Sequence, residues 1–283
     1  MRRKENRLKR FLLIAASAAA ISLLGGCGLG SGAKRQELRL SGIEKLDAGD
    51  YEGAIADLEE ALSLGKGKVG QMELDILKYR AEAEGKIGDY SAAAHTYGIL
   101  MEVDGEKTEY IELRCMLNIR AGNTDQAMED YKKLYQAYKE AGTDSKAPED
   151  GENQAEDMSR DQEAQLTKLI KEIGKTLKSG GKESEALAFY EQAESDGLAD
   201  SQIYNQMGLC YLERGEYIKA GQIFEKGINA PDKTAAADLA FNRAVALEYQ
   251  RDYAGALKAF ESYVSQYGPD EKAEHEISFL KTR

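Results

Sequence analysis

Four lysines, Lys168, Lys171, Lys175 and Lys178, recur three or four residues apart in the stretch "LTKLIKEIGKTLKSG" at 166–180. That spacing sets their ammonium groups along one face of a helix, opposite Ile170, Ile173 and Leu177. The chemistry such a row offers is attraction of carboxylates. Other reactive types are sparse. Cys115 and Cys210 stand 95 residues apart, and with only His95 and His275 no Cys or His pair has zinc spacing. "GKGKVG" at 65–70 matches G-x-G-x-x-G, but it lacks the preceding strand that dinucleotide binding needs. "GGKES" at 180–184 is a broken phosphate loop, with Glu183 where Ser or Thr must hold magnesium. No G-x-S-x-G elbow is present. The chain therefore offers no catalytic constellation, and neither a metal nor a cofactor is expected.

The lysine row needs a helix, and the helices announce themselves by repetition. "GDYEGAIADLEEAL" at 49–62 returns as "GDYSAAAHTYGIL" at 88 and as "GEYIKAGQIFEKGI" at 215. The leading glycine or its stand-in falls at Gly49, Gly88, Gly122, Gly181, Gly215 and Arg251, with spacings of 39, 34, 59, 34 and 36 residues. The excess over 34 coincides with loops between units, which stacked repeats tolerate. In the fifth unit Tyr204, Met207, Gly208 and Tyr211 line one helical face. Gly215 then ends that helix, and Ala220, Phe224 and Ile228 line the next. Each unit is thus a pair of helices that can bury its apolar face only against its neighbours.

A helix–turn–helix of 34 residues with a small residue at Ala54, Ala93, Ala127, Ala186, Ala220 and Ala256 resembles the tetratricopeptide repeat. The bulky residues that complete the pattern are Leu58, Tyr97, Tyr131, Tyr190, Phe224 and Phe260. The resemblance covers residues 36 to 267 and implies an all-α, right-handed α-solenoid of about six repeats. On this reading repeats one to three occupy 36–141 and repeats four to six occupy 164–267. A capping helix at 268–283 closes the stack, with Ala273, Ile277 and Leu280 on its apolar face. The segment 142–163 carries eight acids, two bases and no aromatic residue, and is expected to be a disordered linker. Arg80, Arg114 and Arg243 depart from the family at an ordinarily apolar place on the first helix.

In this family the first helices line a concave groove that takes a peptide. The resemblance puts the lysine row there, followed in the same register by Asn205, Leu209 and Leu212, then Phe241, Val245 and Tyr249. The family's clamp for a peptide's C-terminal carboxylate would fall on Lys171, Lys175, Gln206, Asp238 and Asn242. Asp238 is an acid and opposes that role, so a ligand of another kind is expected. Cys115 and Cys210, two units apart, should be separated by roughly 20 Å at 8–10 Å per packed layer. A disulfide, which requires Cα atoms within about 7 Å, is not expected.

Ahead of the repeats, residues 1–10 hold six bases and one acid, and the apolar run from Phe11 to Leu24 follows. Fourteen residues suit a secretory core and fall short of the ~20 needed to span a bilayer. "LGGC" at 24–27 resembles the lipobox of a bacterial lipoprotein signal peptide, 1–26. That resemblance implies a diacylglycerol on Cys27 and a flexible tether through residue 35. Two acyl chains give stable anchoring to a membrane. The expected location is extracytoplasmic, on the cell membrane or the outer membrane. Beyond residue 26 the chain holds 32 bases and 49 acids, a formal charge of −17, which argues against a nucleic-acid partner. The expected function is a non-catalytic scaffold or assembly factor of the cell envelope with a protein or peptide partner. The alternatives are a solute- or peptide-binding lipoprotein, whose two-lobed α/β pattern the helical period contradicts, and an envelope enzyme with an unrecognised site.

Overall fold

Each first helix has to stop abruptly for the chain to reverse, and a residue in the left-handed region does this. The structure, a computed structural model, describes residues 30–65, 67, 69–144 and 152–283. In it all six punctuating residues are left-handed. Gly49, Gly88, Gly122, Gly181 and Gly215 have φ between 71° and 86°, and Arg251 has φ 63°. Past the turn, Asp50, Asp89 and Asp252 accept hydrogen bonds from the backbone N–H groups of Gly53, Ala92 and Gly255, capping the second helices.

Thirteen helices and no strand lie among the described residues. They are α1 (Ser31–Ala48), α2 (Tyr51–Ser63), α3 (Gln71–Lys86), α4 (Tyr90–Asp104), α5 (Thr108–Ala121), α6 (Thr124–Asp144) and α7 (Glu152–Ser179). They continue as α8 (Glu183–Ser195), α9 (Ser201–Glu213), α10 (Tyr217–Asn229), α11 (Ala236–Tyr249), α12 (Tyr253–Tyr267) and α13 (Glu271–Leu280). The expected all-α fold of successive helix pairs is what the chain adopts. The glycines of "GKGKVG" lie in the connection between α2 and α3, and those of "GGKES" form the turn between α7 and α8.

The chain divides into two compact units, Met1–Ala83 and Glu84–Arg283. Within the first, α1 packs on α2, and Leu38, Leu58, Ala61 and Ile76 form one core cluster while Leu46, Ala54 and Ala83 form another. Within the second, every helix from α4 to α13 packs on its successor, α5 also meets α7, and α9 meets α11. The alanines singled out by the repeat are all fully buried, as are Leu58, Tyr131, Phe224 and Phe260, with Tyr190 nearly so; Tyr97 is half-buried. Close approach inside each pair requires the small residue on the first helix. A Cβ on Gly174 would fall 2.0 Å from the Tyr190 hydroxyl oxygen, and one on Gly208 would fall 2.3 Å from Phe224 Cε1.

Two boundaries differ from expectation. The segment 142–163, expected to be a disordered linker, is helical at 142–144 and again at 152–163, while 145–151 lies outside the described residues. The physical reason is local: after Gly151 the run Glu152 to Glu163 has no glycine or proline and several strong helix formers, so it extends α7 at its N-terminus. The third and fourth repeats also meet directly. Tyr131 Oη donates to Asp196 Oδ2 at 2.7 Å, and the Tyr131 and Phe189 rings meet edge to face at 6.3 Å. At the other end α1 begins at Ser31, so residues 31–35, assigned to the tether, are helical; Ala33 to Gln36 are all good helix formers. The closing helix α13 is capped by Asp270, which accepts from Ala273 N–H at 2.9 Å, and it buries Ala273 and Leu280.

Candidate functional site

The lysine row lies on the second half of α7. Lys171, Lys175 and Lys178 line a groove of about 450 Å³ together with Gln202, Asn205 and Gln206 of α9 and Asp238 near the start of α11. Tyr190 of α8 also faces it. Lys171 Nζ contacts Asp200 Oδ2 at 2.8 Å and Gln202 Oε1 at 3.0 Å, so a local acid already offsets its charge. Lys178 Nζ donates to Gln206 Oε1 at 3.1 Å, a neutral partner that leaves its charge in place. Lys175 is exposed, and its ammonium group makes no hydrogen bond or ion pair among the described residues, while its carbonyl accepts from Ser179 Oγ at 2.9 Å. Asn205 is buried, its Oδ1 accepting from Asn242 Nδ2 at 2.9 Å.

The α11 end of the groove is fixed by Asp232. Its Oδ2 accepts from Ser201 N–H at 2.7 Å and its Oδ1 from Ser201 Oγ at 2.5 Å, while Ser201 Oγ accepts from Ala235 N–H at 3.1 Å. Burial pushes the Asp232 carboxyl up, but the hydrogen bonds from Ser201 and Thr234 outweigh it and hold the group below its ordinary value. A buried serine thereby joins the start of α9 to the start of α11.

Not all the expected groove residues converge there. Lys168 is exposed and outside the lining, and Leu209 and Leu212 are half-buried on α9, also outside it. Phe241 and Val245 pack instead on the core of Ala244, Ala256, Phe260, Ala273 and Leu280. The Phe241 ring meets those of Phe260 at 5.4 Å and Tyr263 at 5.5 Å, both edge to face. Tyr249 is 58% exposed and stacks on Tyr217 at 4.9 Å beside a different hollow. The lining moves toward the helix N-termini on passing from α7 through α9 to α11. Residues in the same register of successive repeats therefore do not fall on one line. The sequence reading missed Gln202 and Tyr190. Gln202 stands one repeat after Lys168, a signal that was legible in the 34-residue register.

A larger hollow of about 920 Å³ is lined by His95, Arg114, Asn118, Glu129 and Glu185 among others. Arg114, one of the three departures from the repeat pattern, forms a two-point ion pair with the fully buried Asp130, at 2.5 Å from Nη2 and 3.1 Å from Nε. Asn118 Nδ2 donates to the same carboxylate at 3.3 Å. Its polar place on the first helix is thus matched by an acid on the second. Arg243 likewise pairs with Glu225.

Cys115 and Cys210 are both buried and free. Burial pushes both thiols up, which keeps them protonated and unreactive at neutral pH. Cys115 donates to the Ala127 carbonyl at 3.3 Å. Among the described residues no group of three His, Cys, Asp or Glu side chains is placed to hold a metal ion. No helix among them is long and apolar enough to cross a membrane. Cys27 lies outside the described residues.

Two family models match the part of the chain that builds the α9 and α11 sides of the groove. Both are described as tetratricopeptide repeat, one over residues 201–233 and the other over 238–268. These two segments are tetratricopeptide repeats. They coincide with the helix pairs α9–α10 and α11–α12. Solved structures similar to this chain include a tetratricopeptide repeat protein from Parabacteroides merdae, at 16% identity, covering 88% of this chain and 99% of that one with a TM-score of 0.35. Another is MamA, at 17% identity, 72% and 95% coverage and a TM-score of 0.42. A third, YrrB, is described as a tetratricopeptide repeat protein with an unusual peptide-binding site, at 14% identity, 75% and 94% coverage and a TM-score of 0.42.

Proposed function

We propose that this chain is a non-catalytic protein-interaction scaffold or assembly factor of the cell envelope, held at a membrane by a lipid on Cys27. The groove over α7, α9 and α11 receives a segment of its partner. The observation that carries this reading is the convergence of Lys171, Lys175, Lys178 and Asn205 in one groove walled by tetratricopeptide repeats. An open groove with ammonium groups along one side suits an extended chain bearing acids. It presents no nucleophile paired with a base of the kind that covalent catalysis uses. The membrane and the location outside the cytoplasm rest on the charged start, the 14-residue apolar run and "LGGC".

The test uses the full chain expressed in a bacterial envelope. Mass spectrometry of the mature protein should find an acylated N-terminal Cys27, and Cys27→Ser should leave the protein unprocessed at this site. An unmodified Cys27 thiol in the wild type overturns the anchor. Crosslinking in the intact envelope should capture a protein partner at positions around Lys175, and loss of that adduct on Lys175→Glu would tie it to the groove.

A further inference from the structure

We infer that the groove selects a dipolar segment, with acids at one end and a basic residue at the other, in place of an acidic or carboxyl-terminal one. This deepens the proposed function and rests on that reading of the groove.

The charges on the groove walls decide the matter. On α7, Lys171 is balanced by Asp200, which leaves Lys175 and Lys178 to attract a ligand's acids. On the far wall Asp238 is exposed, lines the same groove and makes no hydrogen bond or ion pair among the described residues. Between them α9 contributes only neutral groups, Gln202, Asn205 and Gln206. A uniformly acidic chain laid across the groove would meet two cations and then a like charge, and like charges brought together oppose association. A chain that changes sign along its length meets a partner at both ends.

The separation of the two ligand charges follows from helix packing. α7 meets α9 through the side chains of Lys171 and Lys178, and α9 packs on α11, so at about 10 Å for each step α7 and α11 lie roughly 20 Å apart. An extended chain advances about 3.4 Å per residue, which puts roughly five residues between the ligand's acids and its base. The neutral amides of α9 face the stretch between, where they can hydrogen-bond an extended backbone without demanding a side-chain type. Asp238 also lies in the first turn of α11, where the helix dipole favours a carboxylate.

Binding of blocked, fluorescently labelled nonapeptides to the full-length protein tests the inference. One peptide carries two glutamates and two lysines separated by five uncharged residues, a second carries the reverse order, and a third replaces the lysines with glutamates. One of the two dipolar peptides should bind at least tenfold tighter than the all-acidic one. Asp238→Lys should reverse that preference, and Asp238→Asn should abolish it, with circular dichroism melts confirming that both variants fold. Equal or tighter binding of the all-acidic peptide to the wild type overturns the dipolar ligand while leaving the groove reading intact. Failure of all three peptides to bind overturns the groove itself. Binding that Lys175→Glu and Lys178→Glu do not weaken has the same consequence.

Discussion

Arg251 is the one non-glycine residue with positive φ among the described residues, and it stands where five other repeats place glycine. An L-residue in the left-handed region suffers a clash between Cβ and the following carbonyl that costs about 1–2 kcal/mol. Glycine gives back about 0.5–1 kcal/mol of this through its freer unfolded chain. Arg251→Gly should therefore stabilise the protein by roughly 0.5–1 kcal/mol, seen as a higher urea midpoint with an unchanged slope. A neutral or destabilising result would mean that the arginine side chain contributes something that compensates for its backbone.

At the scale of elements, Asp232 is an ionised group that ties the start of α9 to the start of α11. Asp232 accepts from Ser201 N–H, Ser201 Oγ and Thr234 N–H, and these bonds keep its carboxyl below the ordinary value of 3.8 despite burial. A group whose folded pKa is depressed contributes stability that is present above its unfolded pKa and is lost as pH falls through the folded one. Asp232→Asn should thus lower the melting temperature most above about pH 4, and the gap from wild type should close as the pH falls below that. A gap that is constant from pH 7 to pH 2.5 would show that the side chain acts by shape and not by charge. The same scale explains α7. Its length follows from helix propensity at 152–163, while its packing follows from Leu166, Leu169, Ile170 and Ile173, all buried.

At the scale of the whole molecule, stability is distributed between neighbours. In Glu84–Arg283 each helix pair touches the pairs before and after it, the behaviour expected of stacked repeats. Gly208→Ala places a Cβ 2.3 Å from a ring atom of the fully buried Phe224, so one of the two must shift. Overpacking of this kind costs about 1–3 kcal/mol. Hydrogen exchange should quicken most in α9 and α10, less in α8 and α11, and least in α4 and α5. Uniform acceleration across α4 to α13 would mean that this unit opens only as a whole.

The sequence by itself determined the helices, their pairing and their period. The reason is that all three are written locally: a left-handed turn demands glycine, and a close helix crossing demands Ala or Gly opposite a ring. The spacing of those residues is enough to count the repeats. It also placed Lys171, Lys175 and Lys178 on one surface, because an i, i+4, i+7 row stays on one face of a single helix. What it could not decide was how that surface continues into the next helix. Phe241, Val245 and Tyr249 hold the positions that repeat register assigns to a groove. Yet the first two are held by Phe260, Tyr263 and their neighbours, and the third stacks on Tyr217. Register fixes a residue's place on its own helix, but the rotation between successive repeats fixes which residues meet across them. That rotation is set by the tertiary packing of side chains far apart in the chain, and only the folded molecule brings Tyr190 and Thr234 to the groove that Lys178 lines.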